Sequence, residues 1–260
     1  MWPCAMTHRV PHSPFGAESG LCASGRAVVS SVVSEPFSLL SIRQTPFGTL
    51  AAVSLPAGLH PVAQLVLQRL DAETQSLALA LSGRRQIEFT GGRLAFLHAM
   101  QSLGRAPECL RSGERREPLP PAGLTVSISH KEDLALCLVG DASLGCIGID
   151  LEGDGRNRMR IASRVLREEE LKLVEALPET EQWPRVLTAF AVKEATYKAI
   201  HPFLKRFVGF DEARVDFDSA RQARVTLFTR PEEPTLTLET TLEFFEERVL
   251  AMVRCRAAST

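Results

Sequence analysis

The sequence predicts an α+β fold in which each half of the chain supplies both helices and strands. Two observations carry this: stretches of helical spacing occur on both sides of the middle of the chain, and short alternating runs bounded by turn residues flank them in both halves. The 260 residues, 45% apolar and 23% charged, hold ample core for one large domain or two small ones.

Taken in order, residues 1–34 are rich in Ser, Gly, Pro and Ala and lack both a sustained hydrophobic period and the apolar centre of a signal peptide, so they read as a disordered leader or an over-long start. Residues 36–55 hold two short apolar runs around Gln44, Thr45, Pro46, Phe47 and Gly48, which predicts two strands and a turn. Helical spacing over 61–81 breaks near Leu70, where Asp71 is placed to cap a second helix. A further helix over 84–97 packs through Ile87, Phe89, Leu94, Phe96 and Leu97. Its Gly91 and Gly92 are a liability unless another backbone or a ligand comes close there.

A loop rich in Pro and Arg (115–121) leads to a strand over 124–130, whose alternation puts Ser127 and Ser129 on one face and His130 at the end. Strands over 134–139 and 144–149, joined by Gly140, Asp141, Ala142 and Ser143, read as a hairpin-like pair leading into Asp150. A short amphipathic helix over 168–177 stops at Pro178, and a long helix over 182–200 precedes Pro202. Alternation over 213–217, 223–228, 235–242 and 248–255 supplies the remaining strands. No sequence repeat is visible.

A formal net charge of −1 gives no footprint for nucleic acid. The six cysteines show no CxxC spacing and read as reduced, mostly packed thiols of a cytoplasmic protein. No stretch approaches a membrane span. The one marked basic cluster, Arg156, Arg158, Arg160, Arg164 and Arg167, is either a docking surface for an acidic partner or a solvated face.

The chemistry is concentrated in two stretches. On the long helix Lys193, Glu194, Tyr197 and Lys198 fall in one arc, with Val192, Ala195 and Ala199 opposite. A metal ion for Glu194 and phosphates for the lysines would satisfy these charges; an ordinary Glu194 to Lys198 pair at i, i+4 is the alternative. Upstream, the apolar run through Ile149 ends in Asp150, Leu151 and Glu152, which sets two carboxylates on one side of a strand. Two such groups at one spot repel unless a cation sits between them, or unless the strand end is simply solvated.

Together the two stretches resemble the signature motifs of the 4′-phosphopantetheinyl transferase superfamily. The matching residues are Ile147, Gly148, Ile149 and Asp150, then, about forty positions on, Phe190, Ala191, Val192, Lys193, Glu194, Ala195 and Lys198. Arg85, Phe89, Gly92, Arg93 and Ala95 resemble the amino-terminal half of the family's enterobactin-type branch, and Ser127, Ser129 and His130 resemble its Ser-x-Ser-His strand end. Lys131 departs from the family, which often has a small hydroxyl residue there. By motif the resemblance covers roughly residues 55–204.

The resemblance implies two pseudo-symmetric α+β halves, 35–145 and 146–260, with coenzyme A between them. It also implies an enzyme that moves the 4′-phosphopantetheine arm of coenzyme A to a serine of an apo acyl or peptidyl carrier protein, releasing adenosine 3′,5′-bisphosphate. The pathways implied are nonribosomal peptide, polyketide or siderophore (enterobactin-type) biosynthesis. Asp150, Glu152 and Glu194 would hold Mg²⁺, and Glu194, Lys193 and Lys198 would be catalytic. Arg85, Arg93, Arg116, Ser129, His130, Lys193 and Lys198 would contact coenzyme A. A monomer is the simplest assembly. Two other classes remain open, a Mg²⁺-dependent phosphoesterase acting on coenzyme A and a non-catalytic coenzyme A-binding module; the three carboxylates argue against the second.

Overall fold

The computed structural model describes residues 36–258, apart from 107, 114–116, 154, 156, 220 and 246. The expected leader, Arg116, and Arg156 of the basic cluster lie outside the described residues.

The chain opens with β1 (Leu39–Thr45) and β2 (Gly48–Ser54), antiparallel around Pro46 and Phe47. Then come α1 (Gln64–Leu67) and α2 (Ala72–Leu79); as the sequence predicts, the Asp71 carboxylate accepts the Thr74 amide at the start of α2. The 20-residue α3 (Gly83–Ser102) follows. A two-residue pair, β3 (Arg111–Ser112) with β4 (Pro118–Leu119), leads to β5 (Leu124–Lys131) and β6 (Leu134–Asp141). After a 3₁₀ turn comes β7 (Cys146–Gly153), then α4 (Ala162–Val165), α5 (Glu168–Glu175) and the 26-residue α6 (Glu179–Leu204). The rest is β8 (Ala213–Phe217), β9 (Ala223–Leu227), β10 (Leu236–Phe245) and β11 (Arg248–Ala257). None of the described helices is long and apolar enough to cross a membrane.

Two antiparallel sheets carry the architecture, one ordered β1-β2-β6-β5 and the other β10-β11-β7. Each has a long helix on it: α3 lies on β2 and β6, α6 on β7 and β11. The Gly91 and Gly92 pair finds its reason in the first of these packings. A Cβ on Gly91 would come within 2.2 Å of Leu55 Cδ2, and one on Gly92 within 2.7 Å of Ile128 Cγ2, so the glycines let α3 close on the sheet.

The expected hairpin of 134–139 with 144–149 does not form. β6 pairs with β2 and β5, whereas β7 pairs with β11 from the end of the chain. The turn between them ends at Gly145, whose φ of +114° takes the chain from one sheet to the other, and a side chain there would strike Cys255 O. A second difference concerns Pro202, which is inside α6 and not beyond it. It lies in the last turn before Lys205, which is left-handed and ends the helix.

The edges of the two sheets meet in a seam. Thr125, Ser127 and Ser129 of β5 accept, through their hydroxyl oxygens, the amides of Ile147, Ile149 and Leu151 of β7 at 3.1, 2.9 and 3.0 Å. The equal steps along both strands mean that they run side by side in the same direction. Hydroxyls of one edge therefore satisfy the exposed amides of the other.

Candidate active site

The last rung of this seam builds the site. Ser129 Oγ, besides accepting from Leu151, donates to Asp150 Oδ1 at 3.1 Å. That oxygen also accepts from Lys198 Nζ at 2.7 Å, and the same ammonium donates to Ile149 O at 2.8 Å. Ser129 was expected to touch coenzyme A. Its hydroxyl is buried and spends its proton on the Asp150 carboxylate while accepting the Leu151 amide of the same strand.

Gly148 explains how Lys198 reaches Asp150. A Cβ there would be 1.9 Å from Ala195 O and 2.7 Å from Ala199 N, so the backbone of α6 rests on β7 at this residue. Ala195 and Ala199, both fully buried, keep the helix surface flat where it touches. Glu194 and Lys198 flank this contact.

Glu194 forms no hydrogen bond or ion pair with a described residue. Its burial raises its pKa, and the negative charges of Asp150 and Glu152 add to this while Lys198 opposes it. Burial also raises the pKa of Glu152, against the hydrogen bond it accepts from Lys131. The ring of His130 is 41% exposed and stands 3.6 Å from Glu88, a separation too long for a hydrogen bond. Partial burial lowers its pKa; Glu88 counteracts this, and Lys198 and Arg84 reinforce it.

Lys193 departs from expectation. Its ammonium is 1% exposed and donates to Val165 O at 2.8 Å, Glu170 Oε2 at 2.6 Å and Phe210 O at 3.1 Å, which uses all three of its protons. Glu170 in turn accepts the Arg167 and Val215 amides. Adjacent helical residues point about 100° apart, so Lys193 tethers α6 to α4, α5 and the 3₁₀ turn at Phe210 while Glu194 faces Asp150. The i, i+4 pair of Glu194 with Lys198 does not form either, because Lys198 is bound to Asp150.

On α3, Arg85 is exposed and makes no bond among the described residues, whereas Arg93 is buried, donates to Ser112 Oγ at 2.8 Å and lies over the Phe89 ring at 4.6 Å. Arg93 Nε is buried without a partner. Sequence reasoning missed Arg84, which donates to Glu88 and Pro56 O and also has a buried, unpartnered Nη2. It missed Glu170 too, and nothing in the local pattern marks either residue.

For a divalent cation the donors are suited in kind. Asp150 Oδ2 is buried without a partner, and burial and like charge raise the proton affinities of Glu152 and Glu194, so a hard, oxygen-seeking ion would relieve all three. They are not gathered into a ligand set as expected. Among the described residues no three of His, Cys, Asp and Glu converge closely enough to hold an ion, and lysines hold Asp150 and Glu152.

Two cavities lie along α6. One, of about 240 Å³, is lined by Glu194, Tyr197, Ile200, Phe207, Val208 and Phe210 among others, and the second, of about 360 Å³, by Lys131, Glu152, Arg158, Trp183, Leu187 and Phe190. Phe190 lies one helical turn before Glu194, so α6 runs from the larger cavity to the smaller, whose wall holds Glu194.

An open carboxylate beside paired ammonium groups, at the seam of two helix-backed sheets, is equipped to bind phosphate oxygens and take up a proton. The description "4′-phosphopantetheinyl transferase superfamily" belongs to a family model that matches residues 146–253, and a second, "4′-phosphopantetheinyl transferase N-terminal domain", matches 72–140. The chain is 31% identical over 182 residues to 4′-phosphopantetheinyl transferase PptT of Mycobacterium tuberculosis, which covers 66% of this chain and 79% of that protein. It is 31% identical over 171 residues to enterobactin synthase component D of Salmonella typhi, covering 63% and 68% of the two chains. A holo-(acyl-carrier-protein) synthase from Bacillus anthracis, solved in complex with CoA (3′,5′-ADP), aligns with 44% of this chain and 97% of its own at 24% identity and a TM-score of 0.36. The chain belongs to the 4′-phosphopantetheinyl transferase superfamily.

Proposed function

We propose that this enzyme transfers the 4′-phosphopantetheine arm of coenzyme A to a serine of an apo acyl or peptidyl carrier protein. The observation that carries the reading is the cluster of Asp150, Glu194 and Lys198 at the end of the seam, in which Glu194 is left open. The serine oxygen forms a bond to the β-phosphorus, the bond from that phosphorus to the bridging oxygen breaks, and adenosine 3′,5′-bisphosphate leaves with the bond's electron pair. Glu194, with a proton affinity raised by burial, takes the serine proton directly or through water.

Lys198 and His130 bind the pyrophosphate and offset its charge as the bond breaks. Arg85, exposed and unpaired, and Arg93, with its unpartnered Nε, are assigned to the 3′-phosphate; the fork of a guanidinium suits such a group. The mostly apolar cavity beside Glu194 takes the pantetheine arm. Asp150, Glu152 and Glu194 would hold Mg²⁺, which supplies charge neutralisation on the pyrophosphate when bound. Lys193 is assigned to the scaffold. The enterobactin-type relative favours siderophore, nonribosomal peptide or polyketide carriers. A cytoplasmic monomer without affinity for nucleic acid completes the reading.

The test is intact mass spectrometry of an apo carrier protein incubated with the enzyme, coenzyme A and Mg²⁺, beside Glu194→Gln. A gain of one phosphopantetheinyl group, absent without metal and in the variant, is expected. Carrier-independent breakdown of coenzyme A would replace the transferase with a phosphoesterase.

A further inference from the structure

Lys131 is the residue by which this chain departs from the family's strand-end motif, and it has a defined position. It is the last residue of β5, and Glu132 follows it in the left-handed conformation, with φ of +50°, in the two-residue loop to β6. Arg248, paired across the strands with Gly153 of β7, donates to Asp133 Oδ1 and lies 3.7 Å from Glu132, so the loop is pinned to the other sheet. This fixes the backbone from which Lys131 reaches out. Its ammonium donates to Glu152 Oε2 at 2.5 Å, with the two side chains 25% and 17% exposed.

Two lysines thus face the three carboxylates, but they are not equivalent. Lys198 holds Asp150 Oδ1 and leaves Oδ2 without a partner, whereas Lys131 occupies Glu152 at the wall of the larger cavity. We propose that Lys131 is a built-in counter-cation that keeps Glu152 from a divalent cation until an anionic co-substrate draws the ammonium off. Metal and coenzyme A then enter the site together. The inference rests on the assignment of Asp150, Glu152 and Glu194 to the metal.

Linkage makes the consequence measurable. If coenzyme A frees Glu152, it raises metal affinity, and the metal raises coenzyme A affinity by the same factor. The experiment is a titration of the full-length protein with Mn²⁺, read by electron paramagnetic resonance with and without coenzyme A and with no carrier present. Lys131→Gln is expected to bind Mn²⁺ about tenfold or more tightly than the parent when coenzyme A is absent, the scale set by removing one adjacent charge from a partly buried carboxylate. The gain in Mn²⁺ affinity on adding coenzyme A should shrink by the same factor. Lys131→Arg, which keeps the charge, should retain the parental gain, as should Lys172→Gln, which removes an exposed lysine paired with Glu168. Unchanged or weaker Mn²⁺ binding by Lys131→Gln, while Asp150→Asn abolishes binding, overturns the inference and leaves the metal site standing. Mn²⁺ binding unaffected by Asp150→Asn overturns both.

Discussion

Substituting Gly148 by alanine tests the central packing of this enzyme. The new Cβ would lie 1.9 Å from Ala195 O, where a carbon to oxygen contact needs about 3.3 Å, so α6 must retreat by about 1.4 Å. The obstacle is backbone, which cannot rotate away. The cost should reach or exceed the upper part of the roughly 1–3 kcal/mol usual for overpacking. For a domain of this size that lowers the melting temperature by about 4–12 °C.

The same movement carries Glu194 and Lys198 from Asp150 and breaks the 2.7 Å contact of Lys198 with Asp150. A misplacement of about 1 Å costs on the order of 100-fold in rate. Gly91→Ala is the matched comparison, because its Cβ meets Leu55 Cδ2, the end of a side chain that can repack. It should lose stability but keep carrier modification per folded molecule within about threefold. Differential scanning calorimetry and single-turnover phosphopantetheinylation followed by mass spectrometry give the two readouts. A Gly148→Ala protein that melts within about 2 °C of the parent and turns over within about threefold would refute the reasoning, since α6 would then have room that its packing on β7 denies it.

Further outcomes follow from the charges and the seam. Lys193→Met leaves Glu170 buried without its counter-charge and should cost about 3–5 kcal/mol in urea unfolding, whereas Lys198→Met, at a site 30% exposed, should lose transferase activity with a far smaller change in stability. Glu194 has a folded pKa raised above the ordinary 4.5, so its contribution to stability is complete below that pH and is lost as pH rises through the folded value. In EDTA, Glu194→Gln should therefore melt higher than the parent at pH 7–8 and lose that advantage near pH 4; an advantage that grows on acidification would contradict the shift. Ser127→Ala and Ser129→Ala should each cost about 1–3 kcal/mol by leaving the Ile149 or Leu151 amide unsatisfied, detectable as faster hydrogen exchange there. Of the two, Ser129→Ala alone should also reduce turnover, through Asp150.

Much of this was legible in the sequence because it depends on local spacing. Alternation located β8 to β11 within a few residues, the Asp71 cap was visible from its position, and the strand period placed Asp150 and Glu152 on one side. What was not legible depends on residues far apart in the chain. Lys193 and Lys198 look equivalent on a helical wheel; Glu170, 23 residues before Lys193, separates them by supplying one with a buried partner. The glycines and small residues before β7 spell a hairpin, yet the partner of β7 is β11, which begins only at Arg248, and no local signal competes with Gly145 to announce it. Ser129 carried a family motif, and the motif does not say that its hydroxyl is consumed by Asp150 and Leu151.

The seam explains why the charged site can sit where it does. An edge strand ordinarily leaves amides to solvent or to another strand, and closing two edges by direct ladder pairing would fix them in one continuous sheet. Here β5 contributes hydroxyls and β7 contributes amides, so the two sheets meet through side chains. A hydroxyl that accepts from an amide still has a proton to give. Ile147 and Ile149 need only the acceptor; at the last rung Ser129 spends its proton on Asp150, and there the seam passes from holding two sheets together to holding a carboxylate. Asp150 is thereby held at one oxygen, with the other left buried and unpartnered beside Glu194. The same hydroxyl pattern that satisfies the edge thus orients the first acid of the site, which is why a stability defect and a catalytic defect should separate between Ser127 and Ser129, two residues apart on one strand.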